Sequence, residues 1–239
     1  MSAPAAQDAS PIRQTLAWGV HAFTASGAVI GALALLAIAG GDLSRAALLM
    51  LLALVIDSVD GTLARAVRVR DVLPTIDGRR LDDMVDFLNY VIVPAVFLVW
   101  AGSLLSWHWA ALPILASAYG FSQDDAKTED DFFLGFPSYW NVVALYLWLF
   151  HLSPLAGTVI IALFSAMVFV PFKFLYPSRM PVLRRTTNIA CAVWTVALAG
   201  CVLDPAQTAS VHLLAVTLLF PAYYFVLSFW LGGLHRSRS

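Results

Sequence analysis

An all-α membrane protein of about eight transmembrane helices is the architecture this sequence predicts, on three observations. The first is composition. Of 239 residues, 60% are hydrophobic and 12% charged, whereas a soluble domain carries about 25% charged residues. Mean hydropathy is +0.80, so lipid is the solvent for most of the surface. The second is a series of apolar stretches, at about Leu16–Gly40, Ser44–Ala66, Leu81–Ala101, Trp107–Phe121, Tyr139–Leu152, Leu155–Leu175, Asn188–Leu203 and Ala209–Leu234. Crossing ~30 Å of hydrocarbon takes about 20 such residues, and the fourth, fifth and seventh are short. The third is the placement of basic residues. With the N-terminus in the cytoplasm and loops alternating, Arg13, Arg65, Arg68, Arg70, Arg79, Arg80, Lys127, Lys173, Arg179, Arg184, Arg185, Arg236 and Arg238 fall inside, and Arg45 alone falls outside. That partition obeys the positive-inside rule and ties the helix count to the orientation.

The remaining features fit one membrane domain over 1–239. No polar block is long enough to fold separately. Residues Met1 to Thr15 are polar and contain Pro11, without the charged region and short apolar core of a signal peptide. Pro171 and Pro221 are expected to end or kink their helices. Cys191 and Cys201 share one apolar stretch and read as packing residues. No internal repeat suggests an inverted-repeat transporter. The formal net charge of −1 argues neither for nor against an anionic partner, and nothing points to nucleic acid.

Two acidic clusters break the apolar pattern. The run from Ala46 to Ile56 is too short to cross, so its helix must continue through Asp57 and Asp60 to Arg65. The third stretch mirrors this, because Asp82, Asp83 and Asp86 precede the apolar run that starts at Phe87. Both clusters lie in the cytoplasmic half of the membrane and flank one short loop, so they can face each other. Asp57 and Asp60 (i, i+3) share a helix face, as do Asp82 and Asp86 (i, i+4). Asp83 is turned about 100° from Asp82. Gly61 and Ala64 continue the Asp57 side with small residues that permit close approach. Each aspartate near a bilayer centre costs about 2.5–3.5 kcal/mol, which cations would offset. Two divalent ions neutralise four carboxylates, and oxygen-only donors favour Mg²⁺, Mn²⁺ or Ca²⁺ over Zn²⁺. Aspartates that merely solvate helix ends, paired with Arg65, Arg68, Arg79 or Arg80, are the bland alternative. Four in register on two facing helices argue against it.

The pattern Asp57-x-x-Asp60-Gly61-x-x-Ala64-Arg65, then Gly78-x-x-x-Asp82-x-x-x-Asp86, resembles the signature of the CDP-alcohol phosphotransferase family. The segment from Ala66 to Asp77 is longer than in most of that family. It is similar to the bacterial phosphatidylcholine synthases, which share the longer spacing and a Val-Leu-Pro stretch, here Val72-Leu73-Pro74. A second block at 117–141 agrees with them: Ser117, Tyr119, Phe121, then Asp125, Lys127 and Thr128, then Gly135, Pro137, Tyr139, Trp140 and Asn141. The resemblance covers at least residues 57 to 141.

The resemblance implies a bundle in the bacterial inner membrane, and the charge partition above puts both termini and the acidic site on the cytoplasmic side. It implies transfer of the phosphatidyl group from CDP-diacylglycerol to an alcohol, with release of CMP. Asp57, Asp60, Asp82 and Asp86 would bind two divalent cations, Mn²⁺ or Mg²⁺, and Asp86 would also take the alcohol proton. Gly61, Ala64, Arg65 and Gly78 would line the CDP site. The favoured acceptor is choline, and a homodimer is expected. Choline's quaternary ammonium cannot donate a hydrogen bond, so aromatic faces are its natural ligands. Tyr90, Tyr119, Tyr139 and Trp140 are candidates by their proximity to the two blocks. The acidic loop from Asp124 to Asp131 would attract a cation, and Lys127 within it a phosphate, although a solvated turn explains both. Arg179 to Arg185 fix topology or meet anionic headgroups. His21, His108, His151, His212 and His235 lack ligand spacing. Two other readings stay open: the same chemistry with inositol, glycerol phosphate or serine as acceptor, and a cation transporter with the aspartates as its path.

Overall fold

The computed structural model describes residues 10–123, 128, 130, 132–176, 180, 183–206 and 211–233. It is a helical bundle with one two-stranded ribbon. Helix α1 spans Pro11–Ala39 and α2 spans Leu43–Val67. Pro11 at the first turn costs no hydrogen bond. Between the two helices the chain reverses at Gly41, whose φ of 78° favours glycine, and Asp42 caps α2 by accepting from the Arg45 amide at 2.9 Å. Helix α3 spans Gly78–Trp100. Asp77 caps it, accepting from the amides of Arg79 and Arg80. Helix α4 spans Ala111–Phe121 and is entered through a 3₁₀ turn at Trp107–Ala110. Then come strand β1, Phe132–Leu134, helix α5, Trp140–Leu149, helix α6, Pro154–Met167, and strand β2, Lys173–Leu175. Helices α7, Arg184–Leu203, and α8, His212–Leu231, complete the order.

Five of the described helices, α1, α2, α3, α7 and α8, are long and apolar enough to cross a membrane. The chain is an all-α membrane protein. Each of the eight expected apolar stretches contains a helix, but α4, α5 and α6 have 11, 10 and 14 residues. At 1.5 Å per residue the longest of these reaches about 21 Å, short of the ~30 Å hydrocarbon core. Among the described residues, five helices thus reach spanning length where the sequence leads one to expect about eight. The stretch expected at Leu155–Leu175 is divided. Its helix stops at Met167, and the chain passes Pro171 into β2. There β2 pairs antiparallel with β1, with Phe132 opposite Leu175 and Leu134 opposite Lys173. Leucines, valines and a tryptophan that a soluble protein would hide, such as Val193, Val196, Leu219, Val226 and Trp230, lie exposed on α7 and α8, as a lipid-facing surface requires.

Two prolines shape the helices from inside. Pro94 has no N–H for the carbonyl of Tyr90 and its ring crowds that carbonyl. The turn just before it, Phe87–Ile92, is π-helical. Pro221 stands in the same relation to Thr217, and α8 is interrupted at Leu218. The main core gathers Ile38, Met50, Phe97, Leu98, Trp140, Leu145, Ile161, Phe174 and Leu198. A smaller cluster seats the segment after α2 on α1. Arg68 turns the chain in a left-handed conformation, φ 57°, and the short helix Val69–Val72 that follows buries Val69 and Val72 beside Ala17 and Val20. The longer spacing between Arg65 and Gly78 is thus a packing element.

Candidate active site: an acidic cluster between α2 and α3

Helices α2 and α3 bring their acidic turns together against α1. One carboxylate oxygen from each of Asp57, Asp82 and Asp86 lies within 4.8 Å of the other two. All three residues are partly buried. The i, i+4 spacing of Asp82 and Asp86 puts them on one face of α3. Asp83, one residue round, instead meets Arg79 at 3.9 Å. Three convergent carboxylates at the edge of an apolar bundle repel unless a cation lies among them, and an all-oxygen donor set suits a hard divalent ion. The residues therefore fit the metal that the motif implies.

Asp60 stands apart from this trio. It is 6% exposed and turns toward α1, where its carboxylate is hydrogen-bonded by the Thr24 side chain. It still lines the same small cavity as Asp57 and Asp86, with Thr24, Gly27, Asn89 and Tyr90 around it. The space admits about one water-sized ligand.

Helix α1 approaches this closely because it carries glycines. A Cβ on Gly27 would lie 2.7 Å from Val85 Cγ1, and one on Gly31 would lie 2.7 Å from Asn89 Oδ1. Asn89 clamps the contact by donating to the carbonyls of Gly27, at 2.9 Å, and Val85, at 3.0 Å. Thr24, Gly27, Gly31 and Asn89 escape a motif-based reading. Their signal was nonetheless present, since Gly27-x-x-x-Gly31 is a close-packing pattern of membrane helices and Asn89 is an amide inside an apolar run.

The residues expected around CDP lie at the outer end of the same helices. Arg65 folds back along α2, donating to Thr62 Oγ1 at 3.2 Å, with its guanidinium 3.3 Å from where a Gly61 Cβ would stand. Ala64 packs beside the Val69–Val72 turn. Gly78 opens α3 against His21, whose Cε1 lies 3.1 Å from a would-be Cβ.

The four aromatic candidates separate. Tyr90 is buried and its hydroxyl donates to Asp57 Oδ2 at 2.7 Å. Tyr139 meets it edge-on at 6.2 Å and meets Tyr224 at 5.8 Å. Trp140 is fully buried, and its indole N–H donates to Ser117 Oγ at 2.7 Å. Tyr119 is 48% exposed and lies against Phe169. Tyr90 and Tyr139 are thus together beside the carboxylates, and Trp140 belongs to the core. Lys127 and most of the acidic loop from Asp124 to Asp131 lie outside the described residues.

No family model matches the chain. Curated relatives do. The chain is 34% identical to the phosphatidylcholine synthase of Borreliella burgdorferi over 234 residues, 95% of this chain and 99% of that protein. It is 38% identical to that of Legionella bozemanae over 212 residues, 85% of this chain and 98% of the relative. It is 48% identical to that of Legionella pneumophila over 169 residues, 69% of this chain and 66% of the relative. The chain belongs to the phosphatidylcholine synthase family.

In this member of the phosphatidylcholine synthase family, the second sequence block is a structural junction. Ser117 on α4 shares a hydrogen bond with Ser138 at 2.8 Å while accepting from Trp140. Gly135, at φ 79°, passes so close to the Val168 carbonyl that a Cβ would fall 2.2 Å from its oxygen. These contacts fix the start of α5, and with it Tyr139, beside the acidic cluster.

Proposed function

We propose that this chain transfers the phosphatidyl group of CDP-diacylglycerol to choline, giving phosphatidylcholine and CMP, at a site on the cytoplasmic side of the bacterial inner membrane. The observation that carries the reading is the convergence of Asp57, Asp82 and Asp86 between two spanning helices of a phosphatidylcholine synthase family member. Choline's hydroxyl oxygen bonds to the phosphorus that bears diacylglycerol. The bond from that phosphorus to the bridging pyrophosphate oxygen breaks, and CMP leaves with that oxygen. Asp86 accepts the hydroxyl proton, a role open to a carboxylate close to a positioned alcohol. Asp57, Asp82 and Asp86, with Asp60 beside them, would hold Mg²⁺ or Mn²⁺, which supplies charge neutralisation for the pyrophosphate and its leaving oxygen. Gly61, Ala64, Arg65 and Gly78 hold the nucleotide. The donor's acyl chains stay in lipid, because the cluster opens at the end of apolar helices.

Choline is favoured over a phosphorylated acceptor by the arginines. Arg79 and Arg80 are largely exposed and spend their charge on Asp83 and Asp77, whereas aromatic faces at Tyr90 and Tyr139 flank the carboxylates. A homodimer completes the reading. The test is labelled choline with CDP-diacylglycerol and Mn²⁺ or Mg²⁺, using purified protein. Labelled phosphatidylcholine and stoichiometric CMP are expected, and both are lost in Asp86→Asn. CMP release with inositol, serine or glycerol phosphate but not choline would retain the enzyme class and remove the choline assignment. A folded protein that releases no CMP with any alcohol would favour the transporter.

A further inference from the structure

His21 is 7% exposed, and its Nε2 is fully enclosed with no hydrogen-bond partner among the described residues. A buried ring nitrogen left unpaired is costly, and such atoms call for an explanation. Trp18 covers one edge of the ring at 6.4 Å between centroids, and an apolar ring would fill the same place without the penalty. Two neighbours say what the imidazole serves. Gly78, which opens α3, lies against Cε1, and Thr24, one helical turn along α1, bonds Asp60. Asp82 follows Gly78 by one turn of α3, about 6 Å. His21 therefore stands one turn from the carboxylate cluster, toward the end of α3 where the chain leaves the membrane. With the pyrophosphate held at the carboxylates through their cations, Gly78, assigned above to the nucleotide, lies on this side and against the imidazole.

We propose that His21 is a nucleotide-binding residue whose Nε2–H donates to a ribose or phosphate oxygen of the CDP moiety. The inference rests on the function proposed above. It also gives Gly78 a reason: any side chain there would crowd the imidazole, whose Cε1 lies 3.1 Å from a would-be Cβ.

The test uses full-length protein in detergent with Mn²⁺, and measures CDP binding by titration calorimetry together with steady-state kinetics. His21→Phe keeps the ring and removes the nitrogens. It is expected to weaken CDP binding and raise the KM for CDP-diacylglycerol about tenfold, the worth of one hydrogen bond to a charged group. Choline KM stays within about twofold, and the thermal midpoint is equal or higher. His21→Gln carries an amide nitrogen near the position of Nε2 and should retain most of the affinity. Unchanged CDP affinity in His21→Phe overturns the proposal. So does a loss of activity that follows a lowered thermal midpoint while CDP affinity stays intact, which marks a packing residue. Wild-type protein that neither binds CDP nor releases CMP overturns the proposed function and this inference together.

Discussion

Replacing Tyr90 by phenylalanine separates two roles that meet in one side chain. The ring faces Tyr139, and the hydroxyl donates to Asp57 at 2.7 Å. Tyr90→Phe keeps the ring and deletes only the donor. A hydrogen bond to a charged group contributes about 1.5–3 kcal/mol, and the buried setting places this one within that range. At 1.4 kcal/mol per factor of ten, the loss is worth about 10- to 100-fold. That matches the effect of removing an outer group that orients a metal ligand. The metal concentration for half-maximal CMP release should therefore rise by about 10- to 100-fold, with kcat at saturating Mn²⁺ within about threefold of wild type. The assay is CMP release across a Mn²⁺ series at fixed CDP-diacylglycerol and choline. An unchanged metal curve with a raised choline KM would refute the reasoning and assign the hydroxyl to the acceptor. Tyr90→Leu, which also loses the aromatic face, should raise choline KM in addition.

Other substitutions probe the scaffold. Gly135→Ala places a Cβ against the Val168 carbonyl at a positive φ, and should destabilise by at least about 2 kcal/mol, seen as a lowered thermal midpoint in detergent. Gly27→Ala forces α1 away from Val85, one residue from Asp86. Activity should fall several-fold, together with about 1–3 kcal/mol of stability. Lys173, hydrogen-bonded to Asp130 at 2.6 Å with Thr128 assisting, holds the Asp130 carboxyl below its usual range. The folded state thus gains from this pair above the unfolded carboxylate's pKa of about 4, and the gain is lost as pH falls through the lower folded value. Because Asp130 is 55% exposed, the contribution is less than about 1 kcal/mol. Asp130→Asn should speed hydrogen exchange in the ribbon slightly at pH 7, with the difference gone in strong acid.

Much of the site was legible because carboxylates in an apolar run are hard to place without a purpose. The i, i+3 and i, i+4 spacings put Asp57, Asp82 and Asp86 on faces that do meet, and the rotation of Asp83 was correct. Spacing cannot say which way a face turns once a third helix arrives. Asp60 shares a face with Asp57 yet is drawn to Thr24 on α1, a contact that depends on two glycines, Gly27 and Gly31, far from it in the sequence. Hydropathy found all eight helical stretches and misjudged their lengths. It registers apolar residues without regard to Pro171 or to the ribbon, where Phe174 and Leu175 are as apolar in a strand as in a helix. Tyr90 and Trp140 looked equivalent in the sequence. They differ because one hydroxyl finds Asp57 and one indole finds Ser117.

The π turn at Phe87–Ile92 lets one helix answer to two sets of neighbours. A regular helix rotates its faces in fixed phase, so a side that presents Asp82 and Asp86 inward would dictate which residues pack two turns later. Widening one turn resets that phase between the acidic end of α3 and its apolar end. The reacting end can then be aimed at α1 and α2 while Phe97 and Leu98 stay seated in the core. A single-residue deletion within 87–92 would restore uniform winding. It would also make the two ends compete for orientation, so that the number of residues in this stretch matters as well as their identity.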